Sequence, residues 1–255
     1  MIDIHSHILP GVDDGAQTME ESIQMAQEAV EEGITTILAT PHHQNGHYNN
    51  YKNDILIQVN ELNRQLREKN IPLTVLPGQE TRIYGEFVEG LQNNEILPLN
   101  ETTDYVFIEF PFDTVPKYAS NLLFNLQVEG YKPVIVHPER NKRIQENPNV
   151  LYSLIKNGAF AQLTAASLTG KFGGTAKKVS KQLIEANLVH LIASDAHNVK
   201  SRTFHMKKAY DVIKKEYGQD MVYFFSENAY YLIENDNLAS ETPEHVKKKK
   251  VFGLF

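Results

Sequence analysis

The sequence predicts an α/β fold in which parallel strands alternate with helices and close, or nearly close, into a seven-stranded barrel. Seven short apolar runs of β type are each followed by helical sequence, which is the pattern of repeated βα units. The length of 255 residues is about that of one α/β barrel. Histidines and carboxylates follow successive strands at their carboxyl ends, where such barrels assemble their active sites. This placement favours a barrel over the alternative, an open doubly wound sheet.

Local patterns along the chain predict the individual strands and helices. The strands are expected over residues 2–4, 35–39, 73–76, 105–108, 134–136, 160–163 and 189–193. Thr18 followed by Glu21 is a capping box that begins the first helix, and Gly33 ends it. A second helix has apolar residues at helical spacing from Ile55 to Leu66. Further helices are predicted over residues 119–129, 149–157, 176–186 and 203–217.

The chain is predicted to form a single domain over residues 1–235, followed by a C-terminal tail over residues 236–255. No linker rich in Pro, Gly or Ser divides the first part. The tail contains four consecutive lysines at residues 247–250 and then a short apolar run. This pattern is typical of a disordered tail, with weak docking on an acidic partner or an anionic membrane surface as the alternative.

The composition excludes several classes of protein. The chain has no cysteine, which removes disulfides, thiolate zinc sites and cysteine nucleophiles and fits a reducing compartment. Neither a signal peptide nor an apolar stretch of roughly 20 residues is present, so a cytoplasmic protein without a membrane span is expected. The net charge of −7 argues against broad nucleic-acid binding, and an anion would need local cations in order to bind.

Two pairs of potential metal ligands share the same spacing. His5 and His7 leave the first strand two residues apart, and Asp195 and His197 leave the last strand in the same way. Residues i and i+2 of an extended chain point to the same side, so each pair can reach one ion. A single pair of this kind is a weak signal, and the repetition at several strand ends favours a site with more than one metal ion. Imidazole and carboxylate ligands without sulfur suit manganese, iron or zinc.

Further candidate ligands follow other predicted strands. His42 and His137 each lie at a strand end, and Glu80 and Glu109 follow the third and fourth strands. Because Glu109 is flanked by Ile and Phe, its burial would be costly without a partner. The alternative for Glu109 is a core salt bridge with a lysine or arginine. Asp13 lies in the loop after the first strand, where a turn with a helix cap explains it as well as a functional role does.

Taken together, these motifs resemble the PHP (polymerase and histidinol phosphatase) superfamily. Within it they are similar to the bacterial protein-tyrosine phosphatases found with capsular and exopolysaccharide synthesis genes, and the match runs from Met1 to about Ala229. The motifs that carry the resemblance are Ile4-His5-Ser6-His7, Val12-Asp13-Asp14-Gly15, Thr40-Pro41-His42, Gly78-Gln79-Glu80, Phe107-Ile108-Glu109-Phe110, Val136-His137-Pro138-Glu139-Arg140 and Ser194-Asp195-Ala196-His197-Asn198.

The resemblance implies a distorted seven-stranded (β/α)7 barrel of PHP type, similar to a TIM barrel, with three divalent metal ions per chain. Manganese is the first choice, with iron or zinc as alternatives. The implied ligands are His5, His7, Glu80 and Asp195 for the first ion, Glu80, Glu109 and His137 for the second, and Asp14, His42 and His197 for the third.

The resemblance also implies catalytic residues and a substrate. Arg140 and Arg202 would hold the substrate phosphate, and a hydroxide activated by the metals would attack phosphorus. Either Asp14 or a water on the third metal would serve as the acid. The implied substrate is phosphotyrosine on a protein, a bacterial tyrosine kinase of the polysaccharide system.

Three other functions remain open from the residues alone. The first is a PHP phosphatase for a small phosphomonoester such as histidinol phosphate. The second is a metal-dependent amidohydrolase, although the two arginines suit phosphate better. The third is a non-catalytic, metal-binding regulator of a kinase, and the complete ligand set argues against it.

Overall fold

The computed structural model describes residues 1–247 and shows strands alternating with helices along the chain. Nine strands are present in this part of the chain: β1 (Ile2–Ser6), β2 (Thr36–Ala39), β3 (His42–His43), β4 (Thr74–Pro77), β5 (Glu80–Arg82), β6 (Tyr105–Glu109), β7 (Lys132–Val136), β8 (Phe160–Thr164) and β9 (Leu191–Ala193). The helices of the same residues are α1 (Met19–Glu31), α2 (Lys52–Glu68), α3 (Phe87–Gln92), α4 (Ala119–Val128), α5 (Lys142–Glu146), α6 (Asn149–Lys156), α7 (Ala165–Thr169), α8 (Gly173–Glu185), α9 (Met206–Tyr217) and α10 (Gln219–Ile233), with a 3-10 turn at Pro138–Arg140.

The named strands pair in parallel throughout, as the sequence predicts. One sheet has the order β1-β2-β4, and the other has the order β3-β5-β6-β7-β8-β9. The α/β class and the parallel arrangement are therefore confirmed. All seven predicted strands occur, with ends shifted by one or two residues. The described residues form nine strands in two sheets, and a single closed sheet of seven strands stays a prediction.

The two additional strands, β3 and β5, each follow the preceding strand after a gap of two residues. β2 and β3 are separated by two residues that include Pro41, which has no backbone N–H for a sheet hydrogen bond. β4 and β5 are separated by Gly78 and Gln79, and a Cβ on Gly78 would lie 3.0 Å from the Thr40 methyl carbon. Both breaks therefore lie next to each other in space, immediately before the residues His42 and Glu80.

Backbone hydrogen bonds connect the two sheets where β1 meets the end of β9. The N–H of Asp195 donates to the His5 carbonyl over 2.9 Å, and the N–H of His7 donates to the Ala196 carbonyl over 2.8 Å. Within the second sheet, the N–H of Glu80 in β5 donates to the carbonyl of Pro41, the residue before β3, over 3.0 Å. The ligand-bearing ends of the strands are thus tied directly to one another.

The strands are buried on both faces, which positions their ends rigidly. In β6, Val106 and Ile108 pack in the core beneath the helices, whereas Tyr105 and Phe107 pack in a second core. Parallel strands covered on both faces are expected to be apolar at every position. Glu109 follows Phe107 by two residues and shares its side of the strand.

The start of α1 confirms its predicted cap. The Thr18 hydroxyl accepts from the Glu21 N–H over 3.2 Å, and the Glu21 carboxylate accepts from the N–H of Gln17 over 2.7 Å. The glutamate thus contacts the residue before the cap rather than the cap itself.

Helix α10 was not predicted, because one of its buried positions is polar. Asn228 is fully buried, and its amide donates to the carbonyls of His190 and Ala239 over 2.9 and 3.0 Å. Its oxygen accepts from the Ala239 N–H over 2.7 Å. These bonds tie the segment after α10 to the end of the sheet.

The predicted tail begins inside this packed region. Leu238 is buried in the second core, and the Glu244 N–H donates to the Ala186 carbonyl over 2.9 Å. The division at residue 235 stays a prediction, and most of the basic run at 247–250 lies outside the described residues. Among residues 1–247, no helix has both the length and the apolar character needed to cross a membrane.

We expect His190 to make stability depend on pH. It is 3% exposed, and its Nδ1 accepts from the Ala161 N–H over 3.3 Å, so it must be neutral. Burial lowers its pKa to about 4, below the usual value of about 6.5. The unfolded chain therefore binds more protons between these values, and stability falls as pH drops from 6.5 to 4, by on the order of 3 kcal/mol.

Urea unfolding of the wild type and of His190→Leu at matched pH values measures this effect. Groups that titrate in both chains cancel in the difference. As the pH falls from 6.5 to 4, the free energy of unfolding should decrease more for the wild type than for His190→Leu. A difference between the two that does not depend on pH would contradict the expectation.

Candidate metal centre

Four side chains from three strand ends meet at the centre of the rim. The Nε2 atoms of His5 and His7 both face one oxygen of Glu80, at 3.4 and 3.3 Å. They also face one oxygen of Asp195, at 3.6 and 3.3 Å. All four residues are buried. The arrangement brings two nitrogen ligands and two oxygen ligands close together.

Several of these ligand atoms are buried and have no hydrogen-bond partner. They are the Nε2 atoms of His5, His7 and His197. Nδ1 of His42 and Oε2 of Glu80 are also buried, and they lie 2.9 Å from each other. Buried polar atoms without partners are costly, and native folds seldom retain them. A divalent cation satisfies imidazole and carboxylate ligands together, so the donor set fits the predicted metal ions.

Seven of the nine candidate ligands form three overlapping groups whose ligand atoms lie within 4.8 Å of one another, and Asp195 and His137 belong to none of these groups. The groups are His7, Asp14, His42 and His197; His5, His7 and Glu80; and His42, Glu80 and Glu109. His7 therefore lies in one group with Asp14, His42 and His197, the three ligands predicted for the third ion. His42 stands in the group where His137 was predicted, and the His137 Nε2 instead lies 2.6 Å from the second Glu80 oxygen.

The more exposed end of the site is built around Asp14. Its Oδ1 lies 3.3 Å from the Nε2 of His42 and 3.4 Å from the Nε2 of His197. The two nearby imidazoles hold the Asp14 pKa well below its usual range. Asp14 is therefore ionised at neutral pH, which favours the role of ligand over that of acid.

Neighbouring residues orient the histidines. The Nδ1 of His5 lies 3.0 Å from the amide oxygen of Gln162, which only accepts, so Nδ1 carries the proton and Nε2 presents its lone pair to the site. The Nδ1 of His7 lies 2.6 Å from Asp13 in the same way. Asp13 also accepts from the His42 N–H over 3.1 Å.

The loop that carries Asp13 and Asp14 requires a glycine at its end. The Gly15 N–H donates to Asp13 over 2.9 Å, and a Cβ on Gly15 would lie 2.0 Å from the His7 carbonyl oxygen. A side chain at this position would separate the loop from β1. The open question about Asp13 has thus a structural answer: it closes the turn and orients His7 at once.

Both predicted arginines contact the ligand set. The guanidinium of Arg140 contacts Asp195 Oδ2, and Arg202 reaches the same oxygen over 3.0 Å and Asp14 over 3.6 Å. Arg140 also lies over the ring of Phe172, 4.9 Å from its centroid. Burial would raise the pKa of Asp195, but the charges of Arg140 and Arg202 outweigh it and hold the pKa well below its usual range.

The two remaining carboxylates differ in charge state. Burial would raise the pKa of Glu80, but His42 and His5 outweigh it and lower that pKa well below its usual range. Burial and the charge of Glu80 raise the pKa of Glu109 to about 7. The Arg82 side chain, 2.8 Å from Glu109, acts in the opposite direction. A cation between the two glutamates would relieve their repulsion.

A family model for capsular polysaccharide synthesis, CpsB/CapC, matches residues 1–234. The chain belongs to the CpsB/CapC family. The tyrosine-protein phosphatase YwqE of Bacillus subtilis (strain 168) is 51% identical over 255 residues and covers 100% of both chains. The tyrosine-protein phosphatase CpsB of Streptococcus pneumoniae is 34% identical over 226 residues, covering 86% of this chain and 91% of that protein. The family predicted from the motifs is confirmed.

Two solved structures, one of a family member and one of a more distant protein, are similar in fold to this chain. The crystal structure of YwqE, described as a metal-dependent tyrosine phosphatase, superimposes with a TM-score of 0.95, covering 97% of this chain and 100% of that one. The Mycobacterium tuberculosis phosphotriesterase, at 12% identity, has a TM-score of 0.54 and covers 92% of this chain and 94% of that chain, and this likeness concerns the fold alone.

The structure brings all predicted site residues of the family to one rim, and their individual roles stay predictions. Sequence reasoning missed Gln162 and Arg82. Gln162 is a polar residue in the middle of an otherwise apolar buried strand, and this pattern is the signal that could have identified it. Arg82 follows Glu80 by two residues at the end of β5, so the i and i+2 rule could have placed it on the same side.

We expect His7→Ala to release bound metal, because His7 belongs to two of the three ligand groups. Protein purified with manganese should retain less than about half of the wild-type metal content, since loss of even a supporting residue typically weakens metal binding 10- to 100-fold. Elemental mass spectrometry measures the content without reference to activity. His190→Leu removes a buried histidine away from the site and is the control. Unchanged metal in His7→Ala would rule out the ligand assignment.

Proposed function

We propose that the chain is a metal-dependent phosphatase that hydrolyses phosphotyrosine in proteins. The observation that carries the proposal is the shared Asp195 carboxylate, which faces two histidines with one oxygen and two arginines with the other. Candidate metal ligands and candidate phosphate-binding groups therefore lie side by side. The names of the relatives YwqE and CpsB support the same activity.

The proposed ligands hold up to three divalent ions, with manganese as the first choice. They are His5, His7, Asp14, His42, Glu80, Glu109, His137, Asp195 and His197. Divalent ions bound there supply positive charge next to the phosphoryl oxygens and lower the pKa of the attacking water.

The charge balance explains why an acidic protein would need these ions to bind an anion. Asp14, Glu80, Glu109 and Asp195 contribute −4 when all are ionised. Three divalent ions contribute +6, so the filled site carries about +2 before the arginines are counted. Without ions, the carboxylates would repel a phosphate.

The arginines hold and orient the phosphate in this proposal. Arg140 contacts Asp195 with one nitrogen, so further guanidinium donors remain for phosphate oxygens. Arg202 contacts both Asp195 and Asp14, so it lies at the more exposed end of the ligand set. The leaving phenolate has a parent pKa of about 10 and needs less protonation than an alkoxide. An ionised Asp14 is compatible with such a leaving group.

The same arrangement supports the predicted barrel. We infer that β2 with β3, and β4 with β5, are each one strand interrupted at Pro41 and Gly78. The seven resulting strands form a distorted barrel of PHP type, in which β9 adjoins β1. The hydrogen bonds from Asp195 to His5 and from His7 to Ala196 support this closure.

The proposed substrate protein is a bacterial tyrosine kinase of a polysaccharide system, acting in the cytoplasm. Membership of a capsular polysaccharide synthesis family supports the system, and the absence of cysteine fits a reducing compartment.

A panel of substrates tests the proposed activity. With manganese supplied, a phosphotyrosine peptide should be hydrolysed far faster than a phosphoserine peptide with the same flanks, than histidinol phosphate and than an amide. EDTA should abolish the activity and manganese restore it, whereas thiol alkylation should have no effect, because the chain has no cysteine. Equal rates on the two peptides, or a preference for histidinol phosphate, would contradict the phosphotyrosine assignment.

Arg140→Ala should lower kcat/KM for the phosphotyrosine peptide by about 2–4 kcal/mol, the scale of one lost transition-state charge stabiliser. Inhibition by inorganic phosphate should weaken in parallel, because the same group holds the anion. Arg64→Ala removes an exposed arginine of α2 that pairs only with Glu61 and Glu68, and it is the control. A loss of similar size in both variants would argue against a phosphate-binding role for Arg140.

A further inference from the structure

An aromatic side chain projects into solvent beside the candidate site. Phe112 lies three residues after the end of β6 and is 62% exposed. It lines a small cavity whose wall also includes Glu109, His137 and Arg140. An exposed apolar ring therefore lies beside a candidate metal ligand, Glu109, and the candidate phosphate-binding residue Arg140.

The loop that carries Phe112 is anchored on both sides of the ring. The Asn141 side-chain amide donates to the carbonyls of Pro111 and Thr114 over 2.8 and 2.9 Å. The Lys142 N–H donates to the Phe112 carbonyl over 2.9 Å. The Lys142 ammonium group also lies over the Phe112 ring, 5.3 Å from its centroid. The ring is thus held outward by a fixed backbone.

We propose that Phe112 is a specificity-determining residue that packs against the aromatic ring of the substrate. This inference rests on the proposed phosphotyrosine activity. Arg140 follows the end of β7 and Phe112 follows the end of β6, so the phosphate and the ring of one phosphotyrosine would contact adjacent loops. Burial of the exposed ring against another aromatic ring is favourable in itself.

This contact selects aryl esters by binding, independently of the better leaving group. A phosphoserine or alkyl phosphate offers no ring for Phe112 and would lose the contact altogether. Because the ring contact is made in the bound substrate and in the transition state alike, its loss should raise KM and leave kcat nearly unchanged. An aromatic pair of ordinary strength corresponds to about a threefold to tenfold change.

The test compares variants on a phosphotyrosine peptide with manganese supplied. Phe112→Ala and Phe112→Leu should raise KM about threefold to tenfold, whereas Phe112→Trp should keep KM near the wild-type value. Affinity for the same peptide bearing a non-hydrolysable phosphonate on the aromatic ring should fall in parallel, which gives a readout without turnover. The matched control is Phe124→Ala, since Phe124 on α4 is equally exposed at 63% and lies outside this cavity.

The outcomes separate the two proposals. In one outcome, the wild type hydrolyses the phosphotyrosine peptide while Phe112→Ala shows the same KM and the same phosphonate affinity as the wild type. That result would overturn the role of Phe112 and leave the proposed phosphatase activity intact. A kcat loss with unchanged KM would also overturn it, because the ring would then act on the chemistry. A wild type inactive on phosphotyrosine would overturn both.

Discussion

The organisation of the site depends on one carboxylate, that of Asp195. One of its oxygens faces the imidazoles of His5 and His7, and the other contacts the two arginines. Its backbone adopts a positive φ of 54° and donates a hydrogen bond to His5. A non-glycine residue in this conformation is held there by its surroundings at some cost in energy. The same residue thus joins the last strand to the first and the histidines to the arginines.

The features that could be predicted from sequence are those encoded locally. His5 and His7, like Asp195 and His197, reveal themselves by the i and i+2 spacing at strand ends, and Thr18 with Glu21 reveals a helix start. Contacts between distant strands have no such local signal. Which groups His42 joins depends on where β3 runs after the break at Pro41, and the bond between Gln162 and His5 joins residues far apart in sequence. Asn228 likewise interrupts the apolar pattern of helix α10. It can be buried there because its hydrogen-bond partners come from other segments of the chain.

Burial gives the ligand atoms their chemical character. In water, the imidazoles and carboxylates would each be solvated, and bringing them together would cost little. Here His5, His7 and Glu80 are almost completely enclosed, and the Nε2 atoms of the two histidines have no hydrogen-bond partner. The fold stabilises this arrangement from outside, through Gln162 and Asp13 on the opposite ring nitrogens. The packing of the strands therefore holds the ligand atoms in place before a cation binds, which favours cation binding.

The buried candidate ligands and the exposed Phe112 differ in how easily they can be substituted. The ligands lie on strand ends whose backbones are hydrogen-bonded to one another, so a substitution there disturbs several contacts at once. Phe112 lies on a loop that is anchored through backbone atoms and the side chain of Asn141. Its own side chain makes no hydrogen bond and is mostly exposed, so it can be replaced without disturbing the ligands. A family built on this fold can therefore alter which ester it binds while its metal centre stays the same.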